Sequence, residues 1–115
     1  MKKYLLVAFN GELMCFVHVL LNAGDMKARG HEAAIVIEGA ATALVPELES
    51  LENPMHRLYQ DAKDSGLIEG VCRACSQKMG VSDAVEAAGL TFLDDMKGHP
   101  SMAAYGERGF EIITF

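Results

Sequence analysis

Apolar and polar positions fall into alternating blocks along this chain, and the blocks carry two different periods. Lys3–Phe9 (KYLLVAF) is almost unbroken apolar sequence closed by Asn10-Gly11. A run without alternation predicts a strand buried on both faces, as in a parallel sheet. Leu13, Phe16, Val17, Leu20 and Leu21 then trace one face of a helix that runs to about Arg29 and stops at Gly30. Ala33–Ile37 (AAIVI) reads as a second strand, ended by Glu38-Gly39. Gly39–Leu51 reads as a loop with a helical piece around Ala43–Leu48, interrupted by Pro46. Asn53 as N-cap and Pro54 at the first position open another helix, with Met55, Leu58, Tyr59 and Ala62 inward and Asp64-Ser65-Gly66 at its end. Leu67–Val71 is the third strand, and Ala74–Met79 a short helix stopped by Gly80. Ser82-Asp83 caps a helix over Ala84–Ala88, and Leu90–Leu93 is a short fourth strand. His99-Pro100-Ser101 starts a last helix with Met102 and Tyr105 inward, before a closing strand at Phe110–Phe115.

Strands that alternate with helices predict one three-layer α/β/α domain over residues 1–115. The simplest topology is flavodoxin-like, a mostly parallel five-stranded sheet in the order 2-1-3-4-5. Such sheets gather ligands and reactive groups beyond the carboxyl ends of the strands, near the switch point between strands one and three. That rule selects Asn10-Gly11-Glu12, Glu38-Gly39-Ala40 and Val71-Cys72-Arg73.

The last of these carries the chemistry. Cys72 and Cys75 stand at CxxC spacing where a strand turns into a helix. Free N–H groups in a helix's first turn favour a sulfur anion, and the thiolate is the nucleophile. Arg73 and Lys78 would add positive potential if they face the sulfur, and Glu12 or Glu38 would oppose it. The competing reading is a small buried apolar cysteine. Cys15 and His18 flank the apolar stripe of the first helix and read as packing. Glu47, Glu49 and Glu52 read as a solvated face, and Asp94-Asp95 as a charged turn.

Composition narrows the partners. The net charge is −6, with no basic cluster beyond Lys2-Lys3, which argues against direct nucleic-acid binding. No apolar stretch reaches the roughly 18 residues of a membrane span. Three cysteines, with no secretory signal, point to free thiols in a reducing cytoplasm. Half the residues are hydrophobic, with seven methionines and no tryptophan, which hints at an apolar face shared between subunits. No P-loop, GxGxxG or GxSxG motif is present, and no cofactor is expected.

The order and spacing of these pieces resemble the DsrE-like (DsrE/DsrF/TusD-like) family of small sulfur-relay proteins. The resemblance covers nearly the whole chain. It rests on the opening strand, the segment Met26-Lys27-Ala28-Arg29-Gly30-His31-Glu32, Glu38-Gly39, the Val71-Cys72 strand end with its helix and Gly80, and the terminal Gly-Phe-Glu-Ile-Ile-Thr-Phe. It implies a flavodoxin-like fold and assembly into oligomers, here a homo-oligomer (dimer, trimer or hexamer). Cys72 matches the cysteine that carries persulfide in relay members, with protein sulfur donors and acceptors implied; Cys75 is not required by the pattern. Sulfur transfer would then use Cys72 as carrier and Cys75 as resolving thiol. Three other readings stay open: dithiol–disulfide exchange by the pair, a non-enzymatic oligomeric scaffold, and metal binding. For the last, CxxC supplies only two of the four ligands that structural zinc wants. The histidines His18, His31, His56 and His99 show no ligand-like spacing to one another.

Overall fold

A computed structural model describes residues 1–115. Its elements are β1 (Lys3–Ala8), α1 (Leu13–Ala28), β2 (Glu32–Ile37), a 3₁₀ turn (Gly39–Ala43), α2 (Leu44–Glu49), α3 (His56–Asp64), β3 (Ile68–Cys72), α4 (Arg73–Lys78), α5 (Ser82–Ala87), β4 (Phe92–Leu93), α6 (Met102–Glu107) and β5 (Glu111–Thr114). All four strand pairings are parallel. The α/β class and parallel five-stranded sheet expected from the pattern are present.

The strand order is β4-β3-β2-β1-β5, which keeps the expected β1–β2 and β3–β4 neighbours and corrects the rest of the expected 2-1-3-4-5: β3 lies beside β2 and β5 beside β1. Apolar periodicity marks a strand but not its neighbour. Here the first three crossovers each step one place in the same direction, and the last returns to the far side of β1. Main-chain bonds fix the two placements that differ: Phe115 N–H donates to Val7 O at 2.8 Å beside β1, and Ile35 N–H to Leu67 O at 2.7 Å between β2 and β3. Parallel crossovers are right-handed, so three steps one way put their helices on one face, and the reversed step puts α6 on the other.

The core follows this asymmetry. Seventeen buried residues fill one face, where Leu6, Ala8, Ile35, Ile37 and Val71 meet Phe16, Val19 and Leu20 of α1, Leu48 of α2 and Tyr59 of α3. Only six fill the other, with Leu5, Val7, Ala34 and Val36 under Tyr105 and Phe110. The pattern Leu-Leu-Val-Ala in β1 is buried throughout because it serves both faces. No helix is long and apolar enough to cross a membrane.

Helix α3 begins at His56, later than its sequence signal. Asn53 closes the turn before it, its Oδ1 accepting from Met55 N–H at 2.9 Å. Behind α3, Glu49 accepts hydrogen bonds from the buried Tyr59 hydroxyl and from Lys63 Nζ, the latter at 2.7 Å. Burial alone would raise the Glu49 carboxyl, but these two donors outweigh it, and its pKa lies below the ordinary 4.5. A depressed native pKa gives stability that is complete above the unfolded value and lost as pH falls through the native one. Glu49→Gln is therefore expected to cost about 1–2 kcal/mol at neutral pH and to flatten the acid limb of stability. Thermal unfolding of both proteins between neutral and acid pH checks this; parallel acid limbs would contradict it.

Candidate functional site

Three adjacent strands deliver the site from their carboxyl ends. Beyond β2, Gly39 takes a left-handed φ of 53°, and a Cβ there would lie 2.9 Å from Phe9 O. Glycine thus lets the chain turn tightly over the end of β1, and Glu38 is buried just before it, only 6% exposed. One of its carboxylate oxygens, Oε2, is buried with no hydrogen-bond partner. Burial raises its pKa above the ordinary value, and the nearby His99 partly offsets this.

From β3 comes Cys72, fully buried, which also serves as the N-cap of α4. Its Sγ accepts from Cys75 N–H at 3.4 Å, the capping bond of that short helix. Ser76 Oγ donates to Cys72 O at 2.7 Å and fixes the backbone beneath the sulfur. Cys75 is half-buried and lines a pocket of about 210 Å³ with Gly39, Ala40, Lys78 and Met79.

From β4 comes a loop that returns over both sulfurs. Met96 and His99 bridge in antiparallel fashion, with Met96 N–H donating to His99 O at 2.7 Å. Between them Lys97 and Gly98 both have positive φ, 52° and 90°, as a type I′ turn requires. Gly98 O accepts from Ala74 N–H at 2.9 Å, which pins the turn onto the first turn of α4. The result sets His99 Nδ1 3.1 Å from Cys72 Sγ and 3.7 Å from Cys75 Sγ.

The electrostatics differ from the sequence expectation of an ionised Cys72. Burial pushes its thiol up to about 12, and the Cys75 hydrogen bond and the charges of Cys75 and Glu38 push the same way. A single N–H from Cys75 opposes them and does not compensate. Neutral Cys72 therefore needs an adjacent proton acceptor to react, and His99 Nδ1 is in contact with it.

Of the residues singled out in the sequence, Glu38, Cys72 and Cys75 converge, with Gly39 beside them. Asn10, Gly11 and Glu12 are exposed at the end of β1; Asn10 Oδ1 accepts from Glu12 N–H at 2.8 Å, and Gly11 abuts Ala40. These three add no hydrogen bond to the cluster. Arg73 is engaged elsewhere: it donates to Asp94 at 2.8 Å and lies 4.6 Å from the centre of the Phe92 ring. It braces the His99 loop instead of facing sulfur, whereas Lys78 does line the Cys75 pocket. In this strand order the reversal falls between β1 and β5, so the cluster sits away from the switch point. Sequence reading missed His99, which lies 27 residues from Cys72. The usable signal was the Gly98-His99-Pro100 turn shortly after the carboxyl end of β4.

Fold and site together define a parallel α/β protein with a dithiol–imidazole–carboxylate cluster at the carboxyl edge of its sheet. No family model matches the chain. It is 31% identical over 97 residues to the uncharacterized protein MJ0733 of Methanocaldococcus jannaschii, covering 84% of this chain and 77% of that protein. It is also 40% identical over 43 residues to an uncharacterized protein of Archaeoglobus fulgidus, covering 37% of this chain and 70% of the other. The chain belongs to the family of the Methanocaldococcus protein.

Proposed function

We propose that this protein handles sulfane sulfur at the Cys72–Cys75 pair, with Cys72 as the carrying thiol, in keeping with the DsrE-like resemblance. The observation that supports this most is one imidazole nitrogen shared by two sulfurs, one buried and one facing a pocket. In the reading we favour, Cys75 meets the donor. Its thiol gives its proton to His99, and the thiolate attacks the outer sulfur of a donor persulfide R–S–SH. The donor S–S bond breaks as Cys75–S–SH forms, and the leaving thiolate takes the proton back. Cys72 repeats the exchange inward: its proton passes to His99, its sulfur attacks the outer sulfur of the Cys75 persulfide, and Cys75 leaves and is reprotonated. Each step replaces one S–S bond by another, so no external oxidant or reductant is consumed. An acceptor thiol runs the sequence in reverse.

Cys75 thus takes the role of first acceptor, and burial of Cys72 shields the persulfide from water. The rim of the pocket suits a protein partner, since Phe9 and Met79 are exposed there, at 54% and 43%. Assembly of copies fits the thinly covered sheet face, where Ile112 pairs beside Leu5 and stays exposed. Three unpaired cysteines fit the reducing cytoplasm.

Incubation of the reduced, chelator-treated protein with a polysulfide donor is expected to add one sulfur atom to its intact mass. Cys72→Ser should lose the stable addition, and Cys75→Ser should load more slowly. Wild-type protein that gains no sulfur would refute the reading. Loss of two hydrogens without sulfur gain would mark the pair as a dithiol–disulfide couple instead.

A further inference from the structure

We infer that Glu38, Cys72, Cys75 and His99 form a tetrahedral site for a thiophilic divalent cation, with zinc as the preferred ion. The inference does not rest on sulfur transfer. It begins with geometry: one donor atom from each of the four residues, taken together, lies within 4.8 Å of every other. Zinc bonds of about 2.0–2.3 Å place tetrahedral ligand atoms about 3.3–3.8 Å apart. Of the two sulfur–nitrogen separations here, 3.7 Å lies within that range and 3.1 Å just below it. Small side-chain adjustments bring the set onto an ion.

A second observation is independent of the cysteines. The Glu38 side chain is more than nine-tenths buried, and its Oε2 has no hydrogen-bond partner. A buried acceptor left unmatched costs free energy, and coordination to a cation removes that cost. The same group lies in the electrostatic field of His99.

Chemistry then selects the ion. Two thiolates and an imidazole favour zinc over calcium or magnesium, which take oxygen ligands. The support beneath the ligands is already in place. Cys75 N–H donates to Cys72 Sγ, Ser76 fixes the Cys72 carbonyl, and Ala74 N–H holds the Gly98 turn that carries His99. Such supporting bonds orient metal ligands and tune affinity. Four protein donors close the coordination sphere, the arrangement of structural zinc and not of an open catalytic site. Both sulfurs are consumed, so metal and sulfane sulfur exclude each other, and metal occupancy would silence the thiol chemistry proposed above.

The test is a titration of the reduced, chelator-stripped full chain with cobalt(II) under anaerobic conditions. One equivalent should produce the intense visible bands of tetrahedral cobalt and a thiolate-to-cobalt charge-transfer band, and zinc(II) should bleach both. Glu38→Gln, which keeps shape and burial, should weaken cobalt binding by at least about a hundredfold, the upper end of what losing a mere supporting partner costs, as should His99→Ala. Cys75→Ser, at a half-buried position that tolerates change, should remove much of the charge-transfer intensity. Circular dichroism confirms that each variant is folded. A weak octahedral spectrum in the wild type, or affinity unchanged in Glu38→Gln, His99→Ala or Cys75→Ser, overturns the assignment. Sulfur loading is measured separately on the stripped protein, so failure of one proposal leaves the other to its own result.

Discussion

His99→Ala is expected to slow sulfane loading of the metal-free protein about a hundredfold at neutral pH, the low end of what a positioned proton acceptor contributes. The reasoning starts from the buried thiol. With Cys72 pushed up to about 12, the neutral form dominates near pH 7, and a neutral thiol is a poor nucleophile. Only His99 Nδ1 stands within hydrogen-bond reach of both sulfurs. Losing it removes the acceptor for both steps. The pH profile separates this role from simple packing. The variant's rate should climb about tenfold per pH unit into the alkaline range, as for an unassisted thiol, so that its deficit against the wild type narrows as pH rises toward the Cys72 value. Equal rates and profiles would remove His99 from the chemistry.

The largest effect on stability is expected at Gly70. A Cβ built there would lie 2.6 Å from Thr91 O and 2.7 Å from Leu93 Cγ. The first contact is with backbone, which cannot swing aside, and Thr91 O is the acceptor for Val71 N–H at 2.8 Å. Gly70→Ala must therefore push β4 away from β3, at a cost of about 2–3 kcal/mol and a fall in Tm of about 10 °C or more. Gly24→Ala is the matched control. Gly24 sits inside α1 with nothing within 4 Å of its added Cβ, and the change should stabilise by about 0.5–1 kcal/mol through helix propensity. Thermal unfolding of the two variants decides the matter. Similar Tm shifts of the same sign would show that the close approach of β4 is not what Gly70 serves.

Much of this architecture could be read from residue patterns, for identifiable reasons. KYLLVAF and AAIVI are short, apolar and bounded by turn residues, so their strand state is overdetermined locally. The stripe from Leu13 to Leu21 and the stop at Gly30 fix α1 in the same way. The β1–β2 and β3–β4 adjacencies were legible from the strand–helix–strand rhythm, but β5 beside β1 and β3 beside β2 were not, because that choice depends on contacts between segments far apart in the chain. The cysteine half of the site was legible because its two members share one turn of chain. Glu38 was marked by position alone, and nothing local announces that its carboxylate is buried and unmatched. His99 was hidden for the same reason as strand order. Its link to Cys72 runs through a left-handed turn at Lys97-Gly98 and one main-chain bond to Ala74, neither of which has a periodic signature.

The fourth strand has a mechanical consequence. It is two residues long, pairs only through Phe92 and Leu93, and forms an outer edge of the sheet. Short border segments open at lower free energy than the interior. The imidazole sits on the loop beyond this short edge, tied to α4 by the Gly98–Ala74 bond, while Cys72 ends the interior strand β3. Fraying there would loosen that loop before the rest of the sheet opens and would bring the inner sulfur nearer to water.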